Sequence, residues 1–230
     1  MELVVFDLDD TLVDFASTRR LAYESMRVLL HGAGIDAPAW LEACSALDRP
    51  LFRQFEQGAM TRAEYRIRRF SDPFTSLGLP VPAELVTRLN DVFMECVNDH
   101  PLLYEDVQPV LLELRRRGVR TAVLTNGPSD GQRRKLRASG LSECVDHVVI
   151  CEELGASKPS PRAFHAAVAP FAMAHADALM VGDSPELDYA GALAAGLQAR
   201  LLDRDSRFAA LNLPTIRTLR ELLADDQTVN

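Results

Sequence analysis

Short apolar runs rich in β-branched residues punctuate the chain at residues 3–6, 119–124, 147–151, 178–181 and 197–202, each ending in a polar or Gly-containing turn. Runs of this length, bounded by turn signals, predict buried strands. Between most of them, at roughly 106–117, 129–139, 161–169, 187–195 and 217–224, apolar positions recur every three to four residues, which predicts helices that bury one face. Strands that alternate with helices need crossover connections, and these pack as a mostly parallel sheet covered on both sides. The pattern predicts a Rossmann-like α/β core.

The alternation breaks between residues 15 and 98, where amphipathic helical patterns follow one another with no strand between them. This predicts a helical domain, 15–98, inserted after the first strand of a core made of 1–14 and 99–230. Trp40 and the Phe residues at 52, 55, 70, 74 and 93 fall in the insert and are expected to build its own small core. Gly32-Ala33-Gly34-Ile35-Asp36-Ala37 fits a G-x-G-x-x-[GA] pattern, but it follows a helix rather than a strand, which argues against a dinucleotide site.

Charge sharpens this division. The insert holds ten Arg against ten Asp and Glu, so the core carries the whole net charge of −8. Such a balance disfavours nucleic acid or an anionic membrane as partner. Of 25 basic residues only two are lysines, Lys135 and Lys158. Lys135 lies in a basic helical run and reads as solvated. The four Cys, at 44, 96, 144 and 151, lack a CxxC spacing and are expected as free thiols, and the five His show no metal spacing. No leader pattern stands at MELVVFDLDD, no apolar run is long enough for a membrane helix, and a cytoplasmic location is expected. A short acidic tail at Asp225 and Asp226 reads as solvated.

Ligands of open parallel sheets gather at the carboxyl ends of the strands, so the residues there are read as one site. The first run ends in Asp7-Leu8-Asp9-Asp10-Thr11. Residues i and i+2 of an extended segment point the same way, so Asp7 and Asp9 can face one substrate as nucleophile and general acid, or share a metal. A polar turn after a buried strand would look alike. The second run ends in Thr125-Asn126-Gly127-Pro128, where a hydroxyl, an amide and the N–H groups of a helix start can cradle an anion. Asn-Gly is also a common turn. The third leads to Lys158-Pro159-Ser160-Pro161, whose prolines restrict the backbone around a lysine. The fourth ends in Gly182-Asp183-Ser184-Pro185-Glu186-Leu187-Asp188, whose carboxylates are expected to repel one another unless a hard cation such as Mg2+ joins them.

The order of these motifs resembles the haloacid dehalogenase superfamily, whose members are mostly phosphohydrolases. FDLDDTL matches its DxDx[TV] motif, Thr125 its hydroxyl motif, Lys158 its lysine motif and GDSPELD its acidic motif, and the inserted helices look like its small cap. The resemblance implies that Asp7 attacks phosphorus to form an aspartyl-phosphate and that Asp9 serves as acid and base. It implies Mg2+ held by Asp7, the backbone carbonyl of Asp9 and Asp183, with Asp188 in support. It also implies phosphoryl oxygens bound by Thr125 and Lys158, with Asn126 and Gly127 lining the cradle.

Within the family, Asp9 disfavours dehalogenation, whose relatives lack a second acid at this spacing. Phosphonate cleavage needs a cap lysine, and 15–98 contains none. A phosphomutase and a phosphate-binding protein without turnover stay open beside the phosphatase. The stretches 58–65 and 124–136 are similar to the branch of pyrimidine 5′-nucleotidases and acylneuraminate 9-phosphatases, so a nucleoside monophosphate, a sugar phosphate or another small phosphorylated metabolite is the expected substrate. Arg62, Arg66 and Arg69 share a helical face, either a solvated one or one that meets an anionic leaving group. Oligomeric state is not legible.

Overall fold

The computed structural model describes residues 2–224; Asp225 and Asp226 lie outside them. Strand β1 (Leu3–Phe6) is followed by α1 (Phe15–Gly32), α2 (Ala37–Glu56), α3 (Arg62–Ser76), α4 (Ala83–Asp99) and α5 (Val107–Arg116). Then come β2 (Arg120–Thr125), α6 (Ser129–Ala138), α7 (Leu141–Cys144), β3 (His147–Ile150), α8 (Cys151–Leu154) and α9 (Pro161–Val168). The chain continues through β4 (Ala178–Gly182), α10 (Gly191–Ala194), β5 (Gln198–Leu202) and β6 (Thr215–Ile216). Two compact units result, one of residues up to Phe15 and from Pro101 on, the other of Ala16–His100.

The first unit is the expected α/β core. Its six strands pair in parallel in the order β3-β2-β1-β4-β5-β6. β1 is buried on both faces, which explains why all four of its residues, Leu-Val-Val-Phe, are apolar. Val4 and Phe6 join a core that includes Val107, Val110, Leu111 and Leu114 of α5. Leu3 and Val5 point the other way, into a core with Ala163, Phe164, Ala167 and Val168 of α9. Because β1 is flanked by β2 on one side and β4 on the other, the connections diverge at its carboxyl end, the place where open parallel sheets bind ligands.

Several elements differ from the sequence-based expectation. The third strand stops at Ile150, and Cys151 begins the short α8. β6 has two residues, Thr215 and Ile216, too few to form a recognisable pattern. The expected helix at 187–195 is a π-helical turn over Pro185–Ala190 followed by α10, and that at 217–224 is a 3-10 turn over Leu219–Leu223. Ser184 Oγ accepts from the Leu187 N–H at 3.1 Å and starts the wide turn.

The second unit contains helices α2, α3, α4 and most of α1, and no strand. Trp40, Phe70, Phe74 and Phe93 pack in its centre, with Trp40 and Phe74 ring centroids 5.4 Å apart, as are those of Phe70 and Phe93. Phe52 and Phe55 are half-buried beside Tyr65. The Arg62, Arg66 and Arg69 face is not a uniformly solvated one. Arg69 is buried, its guanidinium 4.1 Å from the Phe93 ring centroid and 4.5 Å from that of Phe70. It falls in the buried stripe of Tyr65, Phe70, Pro73 and Phe74, where aromatic faces accept the cation. The four cysteines are free. No helix among the described residues is long and apolar enough to cross a membrane.

Candidate active site

The residues at the strand ends converge. Pairing of β1 with β4 continues one residue past the strand, where the Asp7 N–H donates to the Val181 carbonyl at 2.9 Å and aims the Asp7 side chain from the sheet end. The chain then turns back tightly. Leu12 and Val13 N–H groups both donate to the Leu8 carbonyl, and Asp10 takes φ 61°, a left-handed conformation that Asp tolerates better than most residues.

Lys158 is buried between two carboxylates. Its Nζ donates to Asp7 Oδ1 and to Asp188 Oδ1, each at 2.6 Å. Burial alone would lower the pKa of this ammonium, but Asp188 and Asp7 outweigh it and hold the group well above the usual lysine range. Asn126 positions the loop that carries it, since its Oδ1 accepts from the Lys158 N–H at 2.9 Å and its Nδ2 donates to the Lys158 carbonyl at 3.1 Å. The amide of Asn126 thus bonds both the N–H and the carbonyl of Lys158.

Asp188 sits on the π-helical turn and is almost inaccessible. Its Oδ2 accepts from the Ser184 N–H at 3.0 Å. Gly182 makes room for it, because a Cβ there would stand 2.3 Å from Asp188 Cγ. Asp7, Asp183 and Asp188 each bring a carboxylate oxygen to within 4.8 Å of the others. Burial, then repulsion from Asp188 and Asp10, pushes the Asp183 carboxyl up to about 7. Burial raises Asp7 well above the carboxylate range too, with Lys158 opposing and Asp188 and Asp183 adding to the effect. The buried carboxylates of Asp7 and Asp188 and the half-buried one of Asp183 are met by the Lys158 ammonium and, 3.6 Å from Asp183, by the Arg207 guanidinium, which leaves a hard-oxygen donor set short of positive charge. Such a set fits a divalent cation of the Mg2+ type.

Asp9 turns to a different neighbourhood. Its Oδ2 accepts from Gln132 Nε2 at 2.8 Å, and its Oδ1 is bonded to the ammonium of Lys135. Gln132 Nε2 also donates to Thr125 Oγ1 at 2.7 Å. The expectation that Lys135 is solvated is wrong: it is 2% exposed. Gln132, Lys135 and Leu136 recur at i, i+3 and i+4 on the buried face of α6, and α6 starts four residues after β2 ends, which carries this face to Asp9. The spacing was present in the sequence, but the surrounding run of arginines hid it. Gly127 makes room for the amide, since a Cβ there would stand 2.3 Å from Gln132 Nε2.

The sequence pattern of haloacid dehalogenase-like hydrolases matches residues 1–196. The chain belongs to this family. Among relatives, phosphoserine phosphatase of Thermus thermophilus is 34% identical over 228 residues, covering 90% of each chain. Ribulose-1,5-bisphosphate 5-phosphatase of Halopiger xanaduensis is 32% identical, covering 87% of this chain and 84% of that one. Among solved structures, the putative haloacid dehalogenase-like hydrolase YfnB of Bacillus subtilis, bound to magnesium, superposes with a TM-score of 0.80 at 26% identity and covers 97% of each chain. In this haloacid dehalogenase-like hydrolase the acidic motif after β4, the lysine loop after β3 and Asp7 thus meet at one end of the sheet.

Proposed function

We propose that the chain hydrolyses small phosphomonoesters by transferring the phosphoryl group to Asp7 and then to water. The observation that carries this reading is the meeting of Asp7, Lys158, Asp183 and Asp188 at the carboxyl ends of β1 and its neighbours. The relatives that are phosphatases of phosphoserine and of a sugar bisphosphate support phosphomonoester hydrolysis and a small phosphorylated metabolite as substrate.

In the first step an Asp7 carboxylate oxygen bonds to phosphorus as the bond to the leaving oxygen breaks, and Asp9 gives that oxygen a proton. In the second, water attacks phosphorus, Asp9 takes its proton, and phosphate departs as Asp7 is released. Lys158 meets charge on the phosphoryl oxygens and the Thr125 hydroxyl donates to them, with Gly127 lining the cradle and Asn126 holding Lys158 in place. Asp7, the Asp9 carbonyl and Asp183 would hold Mg2+, with Asp188 in support, and the cation would neutralise charge that builds on the phosphoryl group. The relative bound to magnesium supports that assignment. The inserted helical domain, 15–98, takes the part of the family's small cap.

Hydrolysis of p-nitrophenyl phosphate, with and without Mg2+, tests the reading. Wild type is expected to turn over only with the metal, and Asp7→Asn to lose at least about 10³-fold in kcat, since removal of a nucleophile leaves little else to form the bond. Metal-independent turnover, or an undiminished Asp7→Asn rate, would overturn it.

A further inference from the structure

We infer that Lys135 and Gln132 are positioning residues for Asp9, and that they orient its carboxylate for proton transfer without touching substrate. The inference rests on the reading of Asp9 as acid and base. Both oxygens of Asp9 are held, Oδ2 by Gln132 Nε2 at 2.8 Å and Oδ1 by the Lys135 ammonium. Two points of attachment on one carboxylate fix the plane of the group as well as its direction. Both partners come from one buried face of α6, one turn apart, so the carboxylate is referenced to a helix rather than to a mobile loop.

The Gln132 amide does a second task. Its Nε2 carries two hydrogens, one donated to Asp9 Oδ2 at 2.8 Å and the other to Thr125 Oγ1 at 2.7 Å. Thr125 Oγ1 also accepts from the Gly127 N–H at 3.3 Å. With two donors aimed at its oxygen, the Thr125 hydroxyl has its proton left to give elsewhere, which is the polarity that an anionic phosphoryl oxygen needs. One amide thus couples the acid/base to the phosphate-binding hydroxyl.

Lys135 is an unusual residue to bury. Its ammonium is 2% exposed, stands 4.8 Å from the Phe15 ring centroid, and has Asp9 as counter-charge. A buried ammonium is costly unless paired, and a packing role alone would be met by Leu or Met. The side chain of Asp9 is 29% exposed, so its outer part faces solvent space while Lys135 holds it from behind.

The test compares leaving groups. p-Nitrophenoxide departs with little need of a proton, whereas an alkoxide requires one, so loss of a well-placed acid harms alkyl phosphates more. Lys135→Met and Gln132→Met are each assayed with Mg2+ on p-nitrophenyl phosphate and on glycerol 2-phosphate. The expected result is a kcat loss roughly tenfold or more greater for the alkyl ester, with KM for either substrate changed much less. In an Asp9→Asn background, Lys135→Met is expected to add no further loss, because its effect passes through Asp9. Equal losses on both esters, or an additive loss in the double variant, would overturn the inference. Circular dichroism and Tm identify a variant that fails to fold, and in that event the Gln132→Met ratio decides. If wild type hydrolyses neither ester with Mg2+, the phosphatase reading itself falls. If wild type is active and the ratio does not move, only the role of Lys135 and Gln132 falls.

Discussion

At the scale of single residues, the site depends on what is absent as much as on what is present. Gly182 and Gly127 lie where a methyl group would collide with Asp188 and Gln132. Gly182→Ala is expected to push Asp188 off the Ser184 N–H and Lys158, and to weaken Mg2+ binding by about 10–100-fold, the usual cost of disturbing a group that orients metal ligands. Isothermal titration with Mg2+ measures this directly, and an unchanged affinity would show that Asp188 has no part in the metal site. The aspartates at 7, 9 and 183, Thr125 and Lys158 were legible as candidates because each directly follows a predicted strand or lies in the loop beyond one. Gln132 and Lys135 were not, because a basic helical run reads as solvent-facing until the helix is docked. Arg69 was misread for the same reason, since only packing shows that three aromatic rings surround its guanidinium.

At the scale of elements, another buried carboxylate ties the core together. Asp106, just before α5, accepts from both terminal nitrogens of Arg204 at 2.9 and 3.0 Å, from Thr218 Oγ1 at 2.7 Å and from the Leu219 N–H at 2.8 Å. Arg204 in turn donates to the Thr11 carbonyl at 3.1 Å and lies 3.8 Å from the Tyr104 ring centroid. The loop after β5 thereby braces the turn that follows Asp7 and Asp9. Burial opposes the charge on Asp106, but the Arg204 and Thr218 hydrogen bonds prevail and hold its carboxyl below the usual range. A depressed folded-state pKa means that the unfolded chain binds the proton first as pH falls. The stabilisation is therefore complete at neutral pH and is lost as pH drops below about 4. Asp106→Ala is expected to cost about 3 kcal/mol at pH 7, because it strands a largely buried guanidinium, and to flatten the acid limb of the stability curve. Urea melts at pH 7 and pH 3.5 report both effects, and a mutant that loses as much at pH 3.5 as at pH 7 would contradict this account. No local pattern announces a pair 98 residues apart.

At the scale of the whole molecule, an acidic chain gathers carboxylates at one end of its sheet and leaves them short of cations. Mg2+ is expected to raise Tm in a saturable way, with about 2.7 kcal/mol of stabilisation at 100-fold above Kd, or about 2–4 °C per kcal/mol for a chain of this size. EDTA should reverse the shift, and Asp183→Asn should abolish most of it. A thermal shift identical in wild type and Asp183→Asn would place the cation elsewhere.

The amino-acid sequence by itself determined the α/β class, the five longer strands and the acidic, lysine-poor strand ends, because strand burial and chain turns leave periodic, local marks. The short β6, the π-helical turn at Pro185–Ala190, the burial of Lys135 and the Asp106–Arg204 brace were decided by tertiary structure alone. Their cause is contact between segments distant in sequence. A two-residue strand exists only because β5 offers its edge, and a lysine on a basic helix becomes part of a site only when that helix docks against an aspartate 126 residues away.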